Sequence, residues 1–408
     1  MVGQHRQVVA LGEVRSPLER HPCFSDILPI AAGEDQKQLS HRTRVPGLKH
    51  GLAHFDVRVI PNSSSGSRLS WSASAGHRYS PCGSHELSWH NGAGWSNRGN
   101  GGATWPTMAS VAPDLNVVIV SYNSKHVIGD LLDSLPAALD GLAAEVIVVD
   151  NGSADGTAEL AAARGDCRVV RSTNVGYAAG INRGVLESAA AEAILILNPD
   201  VVLREGCIRP LLSALEDKDV GIAIPRVQSP SGELQFSLRR DPSLLRALGL
   251  TRTRIPALSE YVSDPAQYVD AQIVDWALGA VMLVSRKCYD ALGGLDESYF
   301  LYSEETDLSL RARDIGLLTR YEPGSIAVHI GGQSGRNKST NAMKAVNRVR
   351  LYRRRHSAAA SWCYYCLTVA SEIRWLIRSG RSDSGLLALL VPSLRPIQLG
   401  CSDRVIPR

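Results

Sequence analysis

Between Asn116 and Leu197 the chain alternates four short β-branched runs with stretches of helical spacing, and this constrains the fold more than any other feature. Val117-Val118-Ile119-Val120, Glu145 to Asp150, Cys167 to Arg171 and Ala193 to Leu197 read as strands. Their continuous apolar texture suits strands covered on both faces. Ser124 to Leu135 places Val127, Ile128, Leu131, Leu132 and Leu135 at helical spacing; an Ala-rich segment ending at Arg164-Gly165 and Ala178 to Ala190 supply two more helices. Strand–helix alternation of this kind predicts an α/β fold with a mostly parallel sheet flanked by helices. Ligands of such sheets bind beyond the carboxyl ends of the strands. Tyr122, Asn123, Asp150 and Asp200 all lie at those ends, the last after Pro199 stops its ladder.

The first quarter of the chain is a different kind of sequence. Residues 1–107 hold 11 Lys/Arg against 7 Asp/Glu, whereas residues 108–408 hold 33 of each, so all of the +4 excess lies upstream. Between Asn62 and Thr107, 19 of 46 residues are Ser or Gly, and no apolar period persists. Such composition buries too little surface to offset backbone entropy. Residues 1–107 are therefore expected to be a disordered or mistranslated low-complexity leader, with Met108 the true start. No run of about 18 apolar residues is present to span a bilayer, and no secretion signal is visible. The scattered cysteines, with one close pair at Cys363 and Cys366, fit free thiols in an intracellular chain. The segment Ser121 to Lys125 after the first strand is no dinucleotide fingerprint, and a P-loop is absent.

Several short motifs follow in order: Val118-Ile-Val-Ser-Tyr-Asn123, Val149-Asp-Asn-Gly-Ser153 with Asp155-Gly-Thr157, Asn174-x-Gly-Tyr-x-x-Gly-x-Asn182, Leu197-Asn-Pro-Asp200, Leu278-Gly-Ala280, Tyr299 to Leu308, and His329-x-Gly-Gly-x-Ser334. Over roughly residues 114–350 this set resembles the family 2 glycosyltransferases of GT-A fold, on their rhamnosyltransferase-like branch. The resemblance implies a single GT-A domain over 108–345, with a mixed, mostly parallel sheet, followed by a basic, aromatic, helical extension over 346–408.

Sugar transfer needs a held nucleotide, a stabilised diphosphate and a base. Asp150 can accept from a pyrimidine N–H or a ribose hydroxyl; equally it can close an Asx-turn with Gly152. Asn174, Gly176, Gly180 and Asn182 form a glycine-punctuated strand-to-helix junction, which brings backbone N–H groups either to a ligand or to a packed neighbour. With Tyr122, Asn123 and Asn198 these are the expected nucleotide-sugar contacts. Asp200 offers a hard oxygen for Mg²⁺ or Mn²⁺. Asn198 stands where the family more often has the first acid of Asp-x-Asp. His329, by the resemblance, reaches the metal or the diphosphate. Glu304, Glu305 and Asp307 fall in the first turn of a helix that Ser303 is expected to cap; alignment to the family's Glu-Asp-x-Asp makes Glu305 the base, with Asp307 in reserve.

Arg336 to Arg381 contains 11 basic residues and one acid, interleaved with aromatics. This fits either an anionic membrane surface or a helix packed on the catalytic domain; no stacking platform accompanies it, so nucleic acid is not an expected partner. Taken together, the residues and the resemblance imply an inverting, metal-dependent glycosyltransferase. It would use a dTDP- or UDP-sugar, with dTDP-rhamnose favoured by the branch, and act on a cell-wall or surface polysaccharide or a polyprenyl-diphosphate-linked acceptor. A cytoplasmic location, peripheral on the inner face of the membrane, goes with that. A nucleotidyltransferase and a non-catalytic nucleotide-sugar-binding module are the alternatives. The former lacks a basic Gly-rich loop, and the latter would not need the acids at 304–307.

Overall fold

The computed structural model describes residues 113–331, 337–379 and 384–399, together with the backbone of five strands between residues 39 and 97. These fall into two units, Met1–Met108 and Ala109–Arg408. In the first, β1 (Leu39–Arg44), β2 (Leu52–Asn62), β3 (Gly66–Ala75), β4 (His85–His90) and β5 (Gly94–Asn97) pair antiparallel in sequence order. The Ser- and Gly-rich composition gave no expectation of this pairing. The rest of the expected leader, the expected start at Met108, and Gly332, Ser334 and Arg336 lie outside the described residues.

The second unit begins with β6 (Leu115–Ser121), α1 (Ile128–Leu139), β7 (Ala144–Asp150), α2 (Thr157–Arg164), β8 (Arg168–Arg171), α3 (Tyr177–Glu187) and β9 (Ala193–Leu197), the alternation anticipated from the sequence. It continues through β10 (Val201–Leu203), α4 (Ile208–Leu215), β11 (Val220–Gln228), β12 (Leu238–Arg239), β13 (Gln272–Val274), β14 (Trp276–Ala277), β15 (Val281–Ser285) and α5 (Arg286–Leu292). Then come α6 (Glu304–Asp314), β16 (Leu318–His329), α7 (Lys338–Arg355), α8 (Ala358–Ser379) and α9 (Ser384–Leu390).

The sheet runs β10-β16-β11-β15-β9-β6-β7-β8, with β13 also on β16. Strands β9, β6, β7 and β8 are parallel, as are β11 and β16, whereas β15, β10 and β13 pair antiparallel. Side chains alternate across the pleat, so each strand serves two cores. Val118, Val120, Ile147, Val149, Ile194 and Ile196 face α3, α5 and α6. Leu115, Val117, Ile119, Val148, Leu195 and Leu197 face α1 and α4. Helix α3 lies unusually close to the sheet, because a Cβ at Gly184 would stand 2.5 Å from Val118 Cγ1 and one at Gly180 2.8 Å from Val120 Cγ1.

Helix α7 runs through the boundary placed at 345/346. Its basic run does not face outward as a membrane-facing stripe would. Arg348 donates to Glu260 at 2.6 Å and to the Tyr364 hydroxyl at 2.9 Å. Arg350 donates to the Ser298 carbonyl, Arg354 pairs with Asp296 and Arg355 with Asp314. These residues pin the helix to the sheet domain, which is the packed alternative of the sequence reading. No helix among the described residues is long and apolar enough to cross a membrane.

Candidate active site

Strand ends set the first half of the site. Tyr122 follows β6 and is half exposed, and Asn123 adopts a left-handed φ of 51°. From there the Asn123 amide oxygen accepts from the Ala154 N–H at 2.8 Å, while its own N–H donates to Ser153 Oγ at 2.9 Å, tying the β6 and β7 loops together. Asp150 is buried. It accepts from the Ser121 hydroxyl at 3.3 Å and from the Ser153 N–H at 3.0 Å, so the turn role is filled and one lone pair on each oxygen remains.

The glycine-punctuated junction works by packing. A Cβ at Gly176, whose φ is +99°, would lie 2.6 Å from the Phe300 carbonyl oxygen; Tyr177 N–H donates to that same carbonyl at 2.8 Å. Asn174 is exposed, its side-chain oxygen accepting from the Gly176 N–H. Asn182, expected at the nucleotide, is spent elsewhere. Its oxygen accepts from the Tyr289 hydroxyl (2.7 Å) and the Leu295 N–H (3.0 Å), and its amide donates to the Leu295 carbonyl (2.8 Å) and Glu297 (3.0 Å). Gly176, Gly180 and Asn182 thus lock α3 to the sheet and to the 289–300 segment. A neighbour of theirs, Asn151, went unnoticed in the sequence. Its amide donates to the Gly176 carbonyl at 2.9 Å and its buried oxygen has no partner.

Antiparallel pairing of β10 with β16 sets Val201 opposite His329, and so brings Asp200 and His329 together. His329 Nε2 lies 3.4 Å from Asp200 Oδ1, Nδ1 faces Gln235 at 3.3 Å, and the Gln235 amide holds the His329 carbonyl at 2.7 Å. The carboxylate supplies the hard oxygen that Mg²⁺ or Mn²⁺ takes, and the oriented imidazole nitrogen beside it offers a second donor, better matched to Mn²⁺. No group of three or more His, Cys, Asp or Glu suited to a metal occurs among the described residues, so further ligands would have to come from substrate or water. Asn198, the departure from the paired-acid pattern, is fixed by its N–H to the Ala280 carbonyl.

The second half is the start of α6. Ser303 does not cap it through its side chain; Tyr302 and Ser303 are consecutive left-handed residues, with φ of 69° and 77°, and the Ser303 carbonyl accepts from Asp307 N–H. Such geometry is costly for non-glycine residues and persists only where neighbours enforce it. Here the buried Asn347 of α7 donates to both the Leu301 and Tyr302 carbonyls, at 3.0 and 3.1 Å.

Glu304 and Glu305 each leave Oε2 without a partner. Burial raises the Glu304 carboxyl well above its ordinary range, and the adjacent Glu305 charge raises it further. Burial raises Glu305 as well, opposed by backbone hydrogen bonding and by the charges of Lys344 and Arg239. Asp307 differs. Arg311 donates to it through Nε at 2.6 Å and, through Nη1 and Nη2, to the Leu292 and Gly294 carbonyls, which makes the pair a brace between α6 and α5.

Two further residues join this half. A Cβ at Gly279 would stand 3.0 Å from Glu305 Cβ, so the Leu278-Gly-Ala280 motif makes room for that side chain. The Tyr177 hydroxyl is buried without a partner, and burial followed by the charges of Glu304, Glu305 and Asp200 pushes its pKa well above the usual phenol range. One phenol thus senses both the acid pair of α6 and the carboxylate at the β9–β10 turn.

Residues 116–267 match the family model described as Glycosyl transferase family 2. The N-acetylglucosaminyl-diphospho-decaprenol L-rhamnosyltransferase of Mycobacterium tuberculosis is 32% identical over 233 residues, covering 53% of this chain and 75% of that protein. Rhamnosyltransferase WbbL of Escherichia coli is 26% identical over 242 residues, 56% of this chain and 88% of its own. Among solved structures, GalNAc-T7 with UDP, GalNAc and Mn²⁺ superposes with a TM-score of 0.50 at 15% identity, over 73% of this chain and 58% of that one, a likeness of fold. With the mixed sheet, the strand-end acids and the ordered motifs all in place, the chain belongs to glycosyltransferase family 2 and is a glycosyltransferase of GT-A fold.

Proposed function

We propose that the protein is an inverting glycosyltransferase that moves rhamnose from dTDP-rhamnose onto a polyprenyl-diphosphate-linked sugar, using residues 109–408 as the transferring unit. The observation carrying this reading is the pairing, in one GT-A domain, of Asp200 with His329 at the β9–β10 turn and the two buried glutamates with unpartnered oxygens, Glu304 and Glu305, at the start of α6. Inverting transfer calls for a group that offsets charge on the departing diphosphate and for a base at the acceptor hydroxyl, which attacks from the opposite face.

In this reading Tyr122 stacks on or borders the base, and Asp150 uses its remaining lone pairs on the nucleoside. Asn123, Asn174 and Asn198 shape the rim. Asp200 and His329 would hold a divalent cation, which when bound offsets charge on the leaving diphosphate. Glu305, less buried than Glu304 and drawn toward ionisation by Lys344 and Arg239, takes the acceptor proton. The rhamnosyl group and the lipid-linked acceptor are supported by the mycobacterial relative, whose name gives both.

Contact with the lipid phase is assigned to α8. Its buried side carries Ser361, Tyr364, Tyr365 and Thr368, whereas Trp362, Cys366, Ile373 and Ile377 recur at helical spacing on the exposed side. The direct test incubates the full chain with Mg²⁺ or Mn²⁺, a panel of dTDP-, UDP- and GDP-sugars and an N-acetylglucosaminyl-diphospho-lipid. Product and released nucleoside diphosphate are then followed together. Turnover confined to dTDP-rhamnose is the expected result; turnover with a UDP-sugar alone would reject the donor, and equal rates in EDTA would reject the cation.

A further inference from the structure

Arg239 is a buried cation that has no carboxylate at ion-pair distance among the described residues. Only 6% exposed, it closes β12, and its Nη1 donates to the carbonyls of Phe236 (2.7 Å) and Leu238 (2.9 Å). Its guanidinium lies 3.8 Å from the Tyr261 ring centroid and 6.0 Å from that of Trp276. Acids of the surrounding segments are already committed: Asp241 and Asp275 pair with Arg313, and Glu260 with Arg348. Among the described residues no carboxylate pairs with Arg239 or with Lys344. A desolvated cation without a counter-ion is costly, and a bound anion offsets that cost.

Placement says where that anion would sit. Arg239 pairs with Trp276 of β14, and two residues after β14 Gly279 abuts Glu305. From α7, Lys344 sets its ammonium 5.4 Å from the ring of Tyr302, two residues before Glu304. Both cations act on the Glu305 carboxylate. In an inverting transfer the donor's diphosphate leaves on the face away from the base, so an anion held beside the base belongs to the acceptor.

We propose that Arg239 and Lys344 form a subsite for the acceptor's diphosphate, beside Glu305 rather than at the Asp200–His329 pair. This rests on Glu305 being the base. Guanidinium and ammonium groups meeting a diphosphate make charge-assisted hydrogen bonds, the stronger class of such contacts. The subsite distinguishes a sugar carried on a lipid diphosphate from the same sugar in a neutral glycoside.

The test uses the full chain, dTDP-rhamnose and two acceptors, N-acetylglucosamine on a short alkyl diphosphate and the corresponding alkyl glycoside. Wild type should show a KM for the diphosphate acceptor about tenfold lower or better, a difference worth about 1.4 kcal/mol. Lys344→Ala, on an exposed helix position, and Arg239→Gln should each shrink that preference to roughly threefold or less, with Lys344→Arg restoring it. If Arg239→Gln fails to fold, the Lys344 pair decides. An undiminished preference in Lys344→Ala would overturn the subsite while leaving the transferase reading intact. So would a loss seen instead as weaker dTDP binding by calorimetry, which would give the cations to the donor. No transfer to either acceptor by wild type would overturn the acceptor reading and the subsite with it.

Discussion

Glu304 and Glu305 are consecutive, yet they stand in different surroundings. Glu304 is 4% exposed with its partner's charge beside it, whereas Glu305 is less buried and feels two cations. Glu305→Gln should therefore preserve dTDP-sugar binding and lower kcat by about 10²–10⁴-fold, the usual worth of a general base. Asp307→Asn, which loosens the brace to Arg311, should instead lower the melting temperature and cost kcat less; the reverse ranking in steady-state assays would move the base to Asp307. Since the folded-state carboxyl of Glu304 is raised above its unfolded value, the native state binds the extra proton. The stability this contributes is complete below the ordinary glutamate range, near pH 4.3, and is lost as pH rises through the raised value. Glu304→Gln should remove that loss. Calorimetric melts should coincide with wild type at pH 4 and exceed it by on the order of 2 °C or more at pH 8. A gap that closes toward pH 8 would show that Glu304 is not the protonated member.

At the scale of elements, the sequence placed three acids in the first turn of α6 but attributed the turn to a serine cap. The cause lies elsewhere. Tyr302 and Ser303 are held in left-handed geometry by Asn347, 45 residues further along the chain. A serine before an acidic helix start reads as a cap from local spacing alone, and nothing in that spacing reveals a helix arriving from 45 residues away. Asn347→Ala leaves two carbonyls unpaired and should cost about 1–3 kcal/mol of stability. Because the freed loop leads into Glu305, kcat should fall while dTDP affinity, proposed above to rest on the β6, β7 and β9 ends, is retained. Differential scanning calorimetry and nucleotide titration on one preparation test both halves; a loss confined to dTDP affinity would show that α7 supports the donor site instead.

For the whole molecule, the basic run and the apolar stripe of the C-terminal helices divide their work. Arg348, Arg350, Arg354 and Arg355 fasten α7 to the sheet domain, so they are not the charges that would meet a lipid surface. The unpaired apolar face belongs to α8, with Ile377 77% exposed. Ile373→Glu with Ile377→Glu should then lower partitioning onto phosphatidylglycerol-containing vesicles by at least about tenfold, each buried apolar side chain contributing roughly 1.5–3 kcal/mol. Sedimentation with vesicles measures this, and unchanged partitioning would remove α8 as the contact.

The α/β class, the strand ends carrying Tyr122, Asp150 and Asp200, and the ordered motifs of the family are legible along the linear chain. Those features depend on periods of two and 3.6 and on residues close in the chain. Asn174, Gly176, Gly180 and Asn182 stand out in the chain as one junction, but local spacing does not separate ligand contact from packing, since both ask for small or amide side chains in a tight turn. That Gly176, Gly180 and Asn182 face Phe300, Val120 and Leu295 follows from the packing of distant segments. The same holds for the pairing that sets His329 against Asp200, the room Gly279 leaves for Glu305, and the buried, unpartnered hydroxyl of Tyr177. Each depends on which segments, 25 to more than 100 residues apart, share a surface, and local periodicity carries no record of that choice.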